Sequence, residues 1–251
     1  MVHPGRFCAL LLFLSLTGVV GQPASIPHAH NDYEHEQPLT AAITAGFRSV
    51  EADVHLRNGK LLVGHNSVDR RSPELTRLYL LPLNELLKKS APVATALPFY
   101  LMIDLKTDGE KTLKVLEQEL QQFPDWLLQD GPVRIVLSGN VPKQHMLTDE
   151  FSGIRIDGRP DDLGKDISAD RMPWVSDRFS NWGTGDGSGG ISAASMDKIS
   201  ALARRVHTEG KLLRLWATPD NPKAWKQLQQ AGVDLLNTDH LQEMQKFLTG
   251  N

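Results

Sequence analysis

The sequence predicts an α/β barrel. Three observations point there: short β-like runs alternate with amphipathic helical stretches, no biased linker divides the chain, and chemistry-bearing residues stand where the runs end. Such alternation calls for parallel pairing through crossover helices, which a closed barrel and a doubly wound open sheet both satisfy. No glycine-rich dinucleotide fingerprint follows the first run, and that favours the barrel.

The elements can be justified in order. Apolar or alternating runs predict strands at Ser25–Ala29, Ser49–His55, Leu61–His65, Phe99–Leu105, Val133–Leu137, Gly153–Asp157, Pro173–Ser176, Leu212–Ala217 and Val233–Asn237. Helical periodicity fits Leu39–Ala45, Leu83–Lys89, Glu110–Gln122, Ala193–Glu209, Pro222–Gln230 and His240–Leu248. Ser192 stands where an N-cap belongs, and Gly210 and Gly232 follow helical runs as C′ glycines do.

The chain has 251 residues, 40% of them apolar and 23% charged, which is ordinary globular composition. Its formal net charge of -3 is mixed along the chain, and no basic run or arm marks a nucleic-acid partner. At the N-terminus, Arg6 precedes an apolar run from Ala9 to Val20 that exits through Gly18 and Gly21. This pattern predicts a signal peptide over residues 1–24 and a single barrel domain over 25–251, in a secreted or periplasmic protein. The run is too short to span a bilayer comfortably, so no integral membrane segment is expected after cleavage. Cys8 is the only cysteine and precedes the run. The mature chain would therefore lack disulfides, zinc-thiolate sites and a cysteine nucleophile.

The strand ends carry the chemistry. The first run leads into His28-Ala29-His30-Asn31-Asp32-Tyr33. The second holds Glu51-Ala52-Asp53, whose alternate spacing puts both carboxylates on one side of a strand. Gly64-His65-Asn66 follows the third run, and Asp104-Leu105-Lys106 again pairs charges on one side. Trp216 and Asn237-Thr238-Asp239 stand at the ends of the last two. Glu51, Asp53 and Asp104 are hard oxygen donors suited to one divalent cation, Mg²⁺ or Ca²⁺. Lys106 adds a positive charge near the same oxygens. His28 and His65, coming from different strand ends, supply proton transfer at neutral pH. The chemistry this assembles is cleavage of a phosphodiester, with glycerol, choline, inositol or a nucleoside all admissible as leaving group.

Taken together, His28, Glu51-Ala52-Asp53, His65, Asp104-Leu105-Lys106, Trp216 and Asn237-Thr238-Asp239 resemble the phospholipase-C-like phosphodiesterase superfamily. Glycerophosphodiester phosphodiesterases and the arachnid sphingomyelinase D toxins are similar within it. His-Ala-His-Asn-Asp-Tyr at 28–33 and Asp-Leu-Lys-Thr-Asp-Gly at 104–109 resemble the altered inheritance of mitochondria protein 6 group. The resemblance runs from about Pro27 to Leu248. It implies a distorted (β/α)₈ barrel, catalytic His28, His65 and Lys106, metal ligands Glu51, Asp53 and Asp104, and substrate contacts from Asn31, Trp216 and Asn237. It also implies a small phosphodiester or a lysophospholipid as substrate. The chain departs from the glycerophosphodiesterase pattern where Ala29-His30 replaces Arg-Gly, and Glu36-Gln37-Pro38 replaces Glu-Asn-Thr. It also has no cysteine for the disulfide that the toxins carry beside the second histidine.

Two other readings compete. His28-Ala29-His30 could open a metallohydrolase of the amidohydrolase or histidinol-phosphatase type, with His240 as its best further ligand, His145 and His207 falling in a loop and a helix. A barrel that binds metal without catalysis is the third reading. The glycine-rich stretch 183–190 lacks the Lys-Ser/Thr of a phosphate loop and reads as a flexible loop. Arg70, Arg71, Arg159 and Arg178 fall in predicted loops and are not assigned to the site.

Overall fold

The computed structural model describes residues 25–89, 98–148, 150 and 152–250. The signal peptide expected over 1–24 lies outside them. Every expected strand is present: β1 (Ile26–Ala29), β2 (Ser49–Arg57), β3 (Lys60–Val63), β4 (Phe99–Leu105), β5 (Val133–Gly139), β6 (Arg155–Gly158), β7 (Trp174–Arg178), β8 (Leu212–Trp216) and β9 (Leu235–Thr238). Eight of them pair in parallel in the order β1-β2-β4-β5-β6-β7-β8-β9, and β9 returns to β1 to close a barrel.

β3 departs from the repeat. It runs antiparallel to β2, joined through Asn58 and Gly59 at φ 51° and 75°. Two consecutive positive φ values are what a two-residue hairpin of right-handed twist requires. The hairpin sends the chain back to the barrel mouth, where Gly64 donates its N–H to the Asp53 carbonyl at 3.1 Å. His65 is thereby delivered beside Asp53.

The helices are α1 (Thr40–Thr44), α2 (Leu81–Lys89), α3 (Gly109–Leu120), α4 (Lys143–Thr148), α5 (Ala193–Thr208), α6 (Pro222–Gln230) and α7 (Leu241–Thr249). α4 was not expected, since six residues are too few to show a period. Between β6 and β7 the crossover holds only a 3₁₀ turn, Pro160–Asp162, so the outer ring is uneven. Asp108 and Asn221 cap α3 and α6 by accepting N–H bonds from Lys111 and Ala224, both at 3.1 Å. Ser192 precedes α5 as expected but makes no capping bond; its Oγ lies 2.7 Å from Ser195 Oγ. Gly210 and Gly232, at φ 68° and 90°, end α5 and α6. Among the described residues no helix is long and apolar enough to cross a membrane.

Strand alternation sorts the interior. Leu101, Ile103 and Leu105 of β4 face outward and join the layer under the helices, to which Leu113, Leu116 and Leu120 of α3 also belong. Met102 faces inward with Val136, Trp174 and Leu235, and Ile26, Tyr100 and Leu212 pack below these. This second cluster plugs the lower barrel. The polar residues stand above it, at the C-terminal strand ends, as the fold requires.

The short β6–β7 crossover is held by Asp162. This buried carboxylate pairs with Lys143, lies 3.2 Å from Lys165 Nζ, and accepts the Arg159 N–H at 2.8 Å. Burial disfavours its charge, but Lys143 and the Arg159 N–H outweigh that and hold the carboxyl below its ordinary pKa. A depressed pKa contributes stability in full above the unfolded carboxyl pKa, and that contribution is lost as pH falls through the folded one. Asp162→Asn should therefore cost about 1–3 kcal/mol at pH 7. The gap should narrow at about pH 3, below the ordinary carboxyl pKa of about 3.9. Urea denaturation of both proteins at the two pH values checks this.

Candidate active site

A cavity of about 270 Å³ opens at the C-terminal mouth of the barrel. Glu51, Asp53 and Asp104 enter it from adjacent strands, since Asp53 and Asp104 are register partners and Glu51 stands two residues before Asp53. One carboxylate oxygen from each lies within 4.8 Å of the others. Gly139 permits this closeness. It sits at φ 73°, and a Cβ there would meet Asp104 Oδ1 at 2.0 Å and the Leu105 carbonyl at 2.6 Å. Any other residue would push the Asp104 carboxylate aside.

Asp53 carries two different oxygens. Oδ2 receives Tyr33 Oη at 2.9 Å, His65 Nδ1 at 2.9 Å and Lys106 Nζ at 3.0 Å. Oδ1 is buried and has no hydrogen-bond partner. A buried carboxylate oxygen left bare is costly unless a cation takes it. With Glu51 and Asp104 beside it, this hard-oxygen donor set fits one divalent cation. Lys106 also lies 3.3 Å from Asp104 Oδ2. Burial pulls the Lys106 pKa down, but Asp104 and Asp53 raise it overall, so the ammonium stays charged. Burial raises the Asp104 pKa despite Lys106.

Glu51 is 4% exposed and is balanced from below. Its Oε2 takes Arg214 Nη2–H at 2.8 Å and lies 3.4 Å from His28 Nε2. Burial opposes ionisation, yet Arg214 and then His28 hold this carboxyl well below the usual range. His28 is fully buried, and its Nδ1 lies 2.7 Å from Ser49 Oγ. Burial first, and Arg214 second, bring its pKa down to about 4. Both ring nitrogens are spoken for, and His28 does not line the cavity.

His30 does line it. Its Nδ1 lies 2.9 Å from Asp239 Oδ1, while His65 Nδ1 lies 2.9 Å from Asp53 Oδ2. A carboxylate only accepts, so in each dyad the proton sits on Nδ1 and Nε2 remains for another partner. Burial lowers the His30 pKa, but Asp239 overcomes this and the net shift is upward.

Of the other expected residues, Asn31 lines the cavity at φ 47°, its Oδ1 2.8 Å from Tyr33 Oη. Trp216 lines it from β8. Asn237 lies in a neighbouring cleft of about 90 Å³, where its Oδ1 accepts Arg214 Nε–H at 3.1 Å. His145, His207 and His240 stand away, paired with Glu110, Asp234 and Asp220. The metal-competent group found among the described residues contains no histidine, contrary to the metallohydrolase reading. Arg214 and Arg159 were missed as cavity residues. Arg214 could have been found from Leu212-Leu213-Arg214-Leu215-Trp216, where a lone charge shares the parity of Trp216 in an apolar strand.

Fold and site together define a closed (β/α) barrel with an acidic pocket at its mouth. Residues 20–98 match the AIM6-like phosphodiesterase domain, and residues 213–242 match the glycerophosphoryl diester phosphodiesterase family. The chain is 29% identical over 266 residues to the altered inheritance of mitochondria protein 6 homolog of Arthroderma benhamiae, covering 88% of this chain and 82% of that one. It is also 29% identical to altered inheritance of mitochondria protein 6 of Eremothecium gossypii, with 88% and 68% covered. A solved glycerophosphodiester phosphodiesterase from Agrobacterium tumefaciens has the same fold, with a TM-score of 0.56 at 12% identity over 90% of this chain and all of that one.

Glu51→Gln should leave Arg214 buried without an anion and cost about 3 kcal/mol or more. Removing both charges in E51Q/R214M should recover most of that loss. Urea denaturation of the two variants against wild type measures the difference.

Proposed function

We propose that this protein is a metal-dependent phosphodiesterase acting on glycerophosphodiesters or lysophospholipids, with His30 and His65 as its proton-transfer pair. The observation that carries the reading is Asp53. One of its oxygens gathers His65, Lys106 and Tyr33, and the other is buried and bare within an acidic triad.

Glu51, Asp53 and Asp104 would hold one divalent cation, Mg²⁺ or Ca²⁺. When bound, that ion neutralises phosphate charge and acts as a Lewis acid. Lys106, fixed between Asp53 and Asp104, places a second positive charge beside the phosphate oxygens. A hydroxyl nucleophile forms a new P–O bond while the bond to the leaving alcohol breaks. One imidazole Nε2 takes the proton of the nucleophile, and the other gives its proton to the departing alkoxide. Both rings are oriented for this by carboxylates on Nδ1, Asp239 for His30 and Asp53 for His65. His30 thus takes the role assigned to His28 from the sequence, because His28 has no free nitrogen and no access to the cavity. His28 instead positions Glu51. The leader expected over 1–24 would make this an extracytoplasmic reaction.

The test is release of alcohol from a panel of glycerophosphodiesters and lysophospholipids, with and without chelator. Activity should vanish with chelator and return with Mg²⁺ or Ca²⁺. H30A and H65A should each lower kcat by about 10²–10⁴-fold, and H28Q by less. Activity that survives chelation, or an active H30A beside a dead but folded H28Q, would sink the respective part of the reading.

A further inference from the structure

We infer that Arg159 reads a second oxyanion on the substrate, so that the preferred substrate is a phosphodiester whose alcohol carries a further phosphomonoester or carboxylate. The inference rests on the phosphodiesterase reading of the same cavity.

The argument begins with the ring of strands. His30 follows β1 and Arg159 follows β6, and four steps separate these strands in either direction around the closed barrel. Both side chains line the one cavity from opposite points of the ring, the Arg159 guanidinium lying against Ser138 of β5. The scissile phosphate belongs with His30, His65, Lys106 and the acidic triad, on the side built by β1, β2 and β4. What reaches Arg159 is the group that the phosphate carries.

Arg159 is prepared for that contact. Its Nη1 donates to Asp157 Oδ2 at 2.8 Å and to the carbonyls of Asp157 and Gly158 at 3.3 and 2.8 Å. Its Nη2 donates to Ser138 Oγ at 3.2 Å, and Ser138 in turn donates to Asp157 at 2.8 Å. The guanidinium is therefore fixed, while its side chain remains 42% exposed with further N–H groups to offer. A fixed guanidinium edge is suited to bidentate recognition of an oxyanion. The same wall is unsuited to a quaternary ammonium. Such a cation is best held by open aromatic faces, and Trp216, which lines the cavity from β8, already has the Arg178 guanidinium over its ring, 5.4 Å from the centroid.

Two matched pairs test the inference, each assayed with Mg²⁺ or Ca²⁺ on the full chain. Glycerophosphoinositol is compared with its 4-phosphate, and glycerophosphoethanolamine with glycerophosphoserine. The wild type should favour the more anionic member of one pair by about 10-fold or more in kcat/KM, and which pair shows it tells phosphomonoester from carboxylate. R159Q should bring that ratio close to one, and R159K should give an intermediate value. Ratios near one in the wild type, a ratio unchanged in folded R159Q, or glycerophosphocholine as the best substrate would overturn the inference. If nothing is turned over, the phosphodiesterase reading falls by itself. Calorimetric titration of the same compounds then decides on Arg159: tighter binding of an anionic member by wild type but not by R159Q upholds it, and equal binding overturns it.

Discussion

Glu51 is a carboxylate inside a barrel, and a charge so placed must be met by partners or given up. At 4% exposure it has little water to call on. Arg214 meets it from β8, across the ring, and His28 meets it from β1. Each partner creates a further demand. Arg214 is itself buried and also needs Asn237, while His28 needs Ser49. The result is a continuous polar layer, closed below by Met102, Val136, Trp174 and Leu235. The rim residues stand on this layer, so the chemistry at the mouth inherits its positions from the charge balance beneath.

The strands were legible because a barrel strand is buried on both faces and reads as an apolar run; Phe99–Leu105 was bounded as found. The direction of β3 was not read, although Asn58-Gly59 carried a hairpin signal. The acidic triad was legible because alternate spacing within a strand fixes the side a residue faces, whatever the register of its neighbours. Depth along the barrel axis is another matter. His28 and His30 share a parity, and only the pairing of His28 with Ser49 and Asn237 puts it in the layer below the cavity. Register between strands distant in sequence leaves no local mark. For the same reason Arg214, 163 residues from Glu51, could be placed on a face but not given its partner.

The two ends of the cavity solve one electrostatic problem differently. On the β2–β4 side, carboxylates are in excess, and Lys106 with Arg214 beneath only partly offsets them. That surplus is what a divalent cation requires. On the β6 side, Asp157 Oδ2 takes both the Arg159 guanidinium and the Ser138 hydroxyl, which fixes the guanidinium and leaves it donors to offer. Under the proposed function, a phosphodiester with charge at its centre would meet a cation-hungry end and a donor-rich end, and so bind with a direction.

Backbone conformation keeps these ends sharp. Asn31 and Ala217, each just past an inward-facing site residue, hold φ 47° and 54°. Non-glycine residues adopt the left-handed region at a cost, and they persist there when the surroundings over-determine them. Asn31 is held by the Tyr33 hydroxyl, which also reaches Asp53. The turn that brings His30 to the mouth is thus tied to the same carboxylate that orients His65. Moving either histidine would disturb Asp53, and with it the buried bare oxygen beside Glu51 and Asp104. In this barrel the two histidine dyads and the acidic triad form one mechanical unit, which is why, under the proposed function, a buried residue such as His28 can matter to a reaction it does not touch.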